Sequence, residues 1–123
     1  MKIVKKSIRL AMINTLFEFY TIKEFASAIA EAISKKYGSA EVHTTKKRGF
    51  SIRCKADVEE DAIIKTLVKT IRSFLDDKYD EVLDYVADNY EIAYDSDMID
   101  TDLVSDIFDI STNGRLIIID IDS

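Results

Sequence analysis

Proline and tryptophan are absent from this sequence, cysteine and histidine occur once each, and glycine occurs three times. A single cysteine cannot close an intramolecular disulfide, and one Cys with one His cannot complete a closed zinc site. Glycines only at positions 38, 49 and 114 leave no glycine-rich loop to cradle a nucleotide phosphate or to build a nucleophile turn. No apolar stretch approaches the roughly 20 residues that span a bilayer. Lys2, Lys5, Lys6 and Arg9 before the run Leu10 to Phe17 imitate a signal peptide, with Ala26-Ser27-Ala28 as its cleavage site. Asn14 interrupts that run, and Glu18, Lys23 and Glu24 follow it, so an amphipathic helix fits better. The expectation is a cytoplasmic protein with Cys54 reduced.

What is present is a chain of 123 residues, 47% hydrophobic and 33% charged, neither fibrous nor disordered in composition. That length buries about two-thirds of the unfolded surface, and no linker divides it, so residues 1–123 are expected to form a single domain.

Helical periodicity opens the chain, with Ile8, Met12, Ile13, Leu16, Phe17 and Tyr20 on one stripe. Thr21 and Glu24 have capping-box spacing, so a second helix starts there, with Phe25, Ile29, Ile33 and Tyr37 inward and small alanines between. Gly38 is its stop. Residues 41–55 alternate as a hairpin. Pairing Val42 with Cys54 and Thr44 with Ile52 leaves Lys47, Arg48 and Gly49 as its loop. Asp57 and Glu60 repeat the capping spacing before a third helix carrying Ile64, Leu67, Val68, Ile71, Phe74 and Leu75 inward. A fourth helix, or a bent continuation, covers about 80–90, with Tyr79, Val82, Leu83, Val86 and Tyr90 inward. Ile99, Leu103 and Val104 fit a short helix, and Asn113-Gly114 turns a last hairpin that carries Phe108, Ile110, Ile117 and Ile119. Apolar residues from Leu116 to Ile119 point to a central strand covered on both faces. The fold expected is α+β: two helices, a hairpin, one or two helices and a hairpin, with helices packed on a four-stranded, mainly antiparallel sheet.

Charge is segregated along this order. Residues 1–55 carry 12 Lys+Arg and four Asp+Glu, a balance of +8; residues 56–123 carry five and 19, a balance of -14. Asp76, Asp80, Asp84 and Asp88 recur every four residues, which on a helix makes a ladder with about 6 Å between rungs. Asp77 and Glu81 widen it, Glu91 and Asp95 extend it, and Tyr85 sits at its centre. Like charges at this spacing weaken a helix by a few tenths of a kcal/mol per pair, so stability alone does not favour them. The plain account is a solubilising face. The sharper one is a partner-binding surface that mimics nucleic acid and occupies the Lys/Arg groove where an enzyme holds a phosphate backbone. In size and charge, though in no motif, such a surface is similar to those of small acidic phage proteins that block restriction or CRISPR nucleases.

The other readings use other residues. Lys46, Lys47, Arg48, Arg53 and Lys55 on the first hairpin offer a basic ribbon for RNA or DNA, or a dock for the acidic block of a second copy. A calcium loop counted from Asp95 or from Asp100 places non-ligating residues at its required positions, so no metal site is assigned. Asp120 and Asp122 read as solvated acids, and His43 and Cys54 fall on opposite hairpin faces and cannot form a catalytic pair. No catalytic residue, cofactor or membrane contact is expected. The function expected is non-enzymatic protein binding through the acidic face.

Overall fold

The computed structural model of the chain describes residues 2–38, 40–44, 49–77, 79–90, 97 and 99–121, without the side chains at 2–9, 77, 79, 82, 86, 89 and 90. Helix α1 (Lys2–Phe19) leads into α2 (Ile22–Tyr37), then the hairpin strands β1 (Glu41–Thr44) and β2 (Gly49–Arg53). Helices α3 (Glu60–Asp77), α4 (Tyr79–Tyr90) and α5 (Thr101–Ile107) follow, and the strands β3 (Phe108–Asn113) and β4 (Leu116–Ile121) complete the fold. The four strands form one antiparallel sheet in the order β1-β2-β4-β3. This is the α+β arrangement of hairpins and packed helices that the hydrophobic pattern predicts.

Local chemistry sets most of the boundaries. The hydroxyl of Thr21 accepts from the Glu24 amide at 3.0 Å while the Glu24 carboxylate accepts from the Thr21 amide, closing the capping box at the start of α2. Gly38 ends α2 with φ at +84°, a backbone few other residues adopt, and its N–H donates to the Ser34 carbonyl. Asp100 caps α5 by accepting from the Leu103 amide at 2.8 Å. The Arg72 guanidinium on α3 donates to the Ile99 carbonyl, through Nε at 3.0 Å, and so pins the entry to α5.

Phe25 of α2 is the hub of the core. Fully buried, it stacks parallel to Phe108 of β3 at 5.7 Å and meets Phe17, Phe50 and Phe74 edge-on at 5.8, 6.0 and 5.8 Å. One ring thereby joins α1, α2, α3 and both hairpins, and burying it fully stabilises the fold by roughly 1.5–3 kcal/mol. Helix α2 lies over β1 and β2, α3 packs against α2 and α5, and α1 packs against α4 and α5.

Several finer expectations are corrected. In the first hairpin Val42 pairs with Ile52 and Thr44 with Phe50, two residues from the expected register. A shift of two keeps every side chain on its face, so Phe50, Ile52 and Cys54 are still buried. Gly49 lies in β2 rather than at a left-handed turn position. The second turn is Gly114-Arg115 rather than Asn113-Gly114, with Gly114 at φ +62°. Helix α3 begins at Glu60, three residues beyond Asp57, and the Val58 N–H ahead of it donates to the Gly114 carbonyl at 3.1 Å. Ile63 is wholly buried and Ile64 only half-buried. In β4, Ile117, Ile119 and Ile121 are buried, whereas Leu116, Ile118 and Asp120 are half-buried, since the helices cover one face of the sheet. Ile8, Tyr79, Val82, Val86 and Tyr90 lie outside the described side chains.

Candidate functional site

The acidic stretch divides between two helices. Asp76 is exposed near the end of α3, while Asp80, Asp84 and Asp88 are exposed along α4. The expected four-rung ladder is therefore three rungs on one helix, with Asp76 on its neighbour. Glu81 is exposed beside Asp80 in the first turn of α4, where carboxylates also complement the helix dipole. The side chain of Asp77, and all of Glu91 and Asp95, lie outside the described residues.

Helix α4 contains four carboxylates and no Lys or Arg. Asp80 to Asp88 spans eight residues and hence about 12 Å, so α4 carries about one negative charge per 3–4 Å. A single DNA strand carries one per about 3.4 Å of axis. Tyr85 is half-buried and its ring meets Phe19 of α1 edge-on at 5.9 Å. It anchors the acidic helix to the body of the protein, a use the sequence alone did not assign.

On the alternative surface Arg53 and Lys55 are exposed, whereas Lys46, Lys47 and Arg48 lie outside the described residues. His43 is exposed with its Nε2 at 3.7 Å from a Glu41 carboxylate oxygen, away from the buried Cys54, so the two form no catalytic pair. Among the described residues no group of three or more His, Cys, Asp or Glu converges as a metal site. Asp120 is paired across the sheet with Asp109, and Asp100 is engaged as the α5 cap. None of the described helices is long and apolar enough to cross a membrane.

The structure also assembles a feature that sequence spacing hid. The last turn of α2 and the first half of α3 enclose a cleft of about 480 Å³ lined by Lys35, Lys36, Lys65 and Lys69. Its two halves are some 30 positions apart in the chain. The adjacent Lys35 and Lys36 and the i, i+4 spacing of Lys65 and Lys69 are the local signals it leaves.

The chain matches no protein-family model, no curated protein and no solved structure.

Proposed function

We propose that the protein is a non-enzymatic, cytoplasmic inhibitor that places α4 in the basic groove of a nucleic-acid-binding enzyme, in the manner of anti-restriction or anti-CRISPR proteins. The carrying observation is the exposed row Asp80, Asp84 and Asp88 with Glu81, which matches the linear charge density of a nucleic-acid strand and is interrupted by no cation on its helix. The carboxylates would accept from the Lys and Arg side chains that otherwise hold phosphates, and Asp76 would widen the contact from the end of α3. The half-buried ring of Tyr85 keeps this row in a fixed orientation, which limits the entropy lost on association. A second copy presenting Arg53 and Lys55 is the competing occupant of the same acidic row.

Displacement of a labelled duplex from a panel of restriction and CRISPR-type nucleases tests this reading. The wild-type protein displaces the duplex from its target, more weakly as salt rises. Asp80→Lys with Asp84→Lys weakens that displacement at least about tenfold, or 1.4 kcal/mol. Undiminished affinity in the double reversal sinks the proposal. Light scattering at low salt identifies self-association, which appears as a dimer that dissociates when salt is added.

A further inference from the structure

We propose that the cleft between α2 and α3 binds an oligophosphate group, such as the phosphate chain of a nucleoside di- or triphosphate. Its volume of about 480 Å³ lies within the range of small-molecule sites, and two helices rather than a loop define its walls. Lys35 and Lys36 enter from the last turn of α2, Lys65 and Lys69 from α3, and all four are exposed. Among the described residues no carboxylate forms an ion pair with any of them.

The two pairs differ in what local structure explains. Lys35 and Lys36 complement the negative end of the α2 dipole. Lys65 and Lys69 lie within α3, away from either terminus, where like charges four apart are unfavourable. Acids outnumber bases 23 to 17 in this chain, yet four cations are gathered on one cleft; Glu31 and Asp61 stand four positions before Lys35 and Lys65, but among the described residues neither forms an ion pair with them. A multiply charged anion relieves their mutual repulsion and is attracted by all of them.

The remaining lining offers no free threonine donor, so the ligand is selected by its charge. Lys65 and Lys69 are about 6 Å apart along the helix axis, a backbone spacing from which two flexible ammonium groups can reach neighbouring phosphates of one chain. Lysine holds phosphate as a mobile point charge and needs no fork geometry. The Thr66 and Thr70 hydroxyls already donate to the Ala62 and Thr66 carbonyls at 2.8 Å each, which leaves recognition of the anion to the lysines. Lys36 Nζ stands 5.4 Å from the centroid of the Tyr37 ring, which also lines the cleft. No glycine-rich loop takes part; side-chain charge does the work that backbone amides do in a phosphate loop.

Calorimetric titration with sodium tripolyphosphate, ATP and GTP tests the site, with amide chemical shifts reporting location. Binding of at least one of the three is expected, weakening with salt and shifting amides in 32–37 and 62–70. Equal affinity for all three identifies the phosphate chain as the whole ligand, and tighter binding of the nucleotides identifies them as its source. Lys65→Gln with Lys69→Gln lowers the affinity at least about tenfold, while Lys23→Gln, on the first turn of α2, leaves it unchanged. Three results overturn the proposal: no binding at millimolar ligand, full affinity in the Lys65→Gln, Lys69→Gln variant with its melting temperature preserved, or displacement by sulfate as effective as by tripolyphosphate.

Discussion

The ring of Phe19, the final residue of α1, meets the ring of Tyr85 in the middle of α4 at 5.9 Å with the planes 78° apart. Edge-to-face pairs of this kind contribute about 0.5–1.5 kcal/mol beyond the area they bury. Phe19→Ala is therefore expected to loosen α4 selectively. Hydrogen exchange should show faster exchange of the amides of 82–90 in this variant, with those of β2 and β4 unchanged. Uniform acceleration throughout the chain would mean that Phe19 supports global stability and not the acidic helix in particular.

Gly49 is required by close approach rather than by backbone conformation. A methyl group there would run into the Asp120 carboxylate and come within 2.9 Å of the Ile119 carbonyl oxygen. The Asp120 side chain can turn away, but the Ile119 carbonyl belongs to the central strand and cannot move without disturbing the β2–β4 ladder. Gly49→Ala should cost about 1–3 kcal/mol in urea denaturation. Gly114→Ala, strained only by its positive φ, should cost about 1 kcal/mol. A Gly49→Ala variant as stable as wild type would show that the two strands separate there at little cost.

Burial pushes the Cys54 thiol above its ordinary pKa. The folded protein therefore keeps this proton at a pH where the unfolded chain, with a thiol near about 8.5, has begun to release it. Stability from this source is intact at neutral pH and declines as pH rises beyond that value. Urea midpoints of wild type should fall between pH 7 and 9.5 more than those of Cys54→Ala. Iodoacetamide at pH 8 should label the native thiol far more slowly than the urea-unfolded one, and equal rates would refute the shielding.

The element order was legible because its signals are local: the capping box at Thr21, the glycine at position 38, the apolar face of α3. The features that are not legible in the sequence have separate physical causes. Strand alternation repeats every two residues, so pairing Val42 with Ile52 or with Cys54 buries the same face, and loop length decides between them. The four-residue recurrence of aspartate continues through the junction of α3 and α4 without a Pro or Gly to mark it, so Asp76 looked continuous with Asp80. Three of the expected rungs were found by periodicity, whereas the lysine cleft depends on how α2 meets α3, which periodicity does not encode.

Strand β4 follows every other element in chain order, yet it lies inside the sheet, between β2 and β3. Phe50 pairs with Ile119 across nearly 70 residues of intervening chain. During synthesis from the N-terminus, the first hairpin and α1 to α3 are made before β4, the strand that pairs with β2 inside the sheet. Until residues 116–121 emerge, β2 presents an unpaired edge, and the ring of Phe50 lacks the strand that sits beside it in the finished fold. Within the sheet the two hairpins are thus joined only through the β2–β4 ladder, and a nascent chain stalled before Leu116 would leave that side of β2 unpaired.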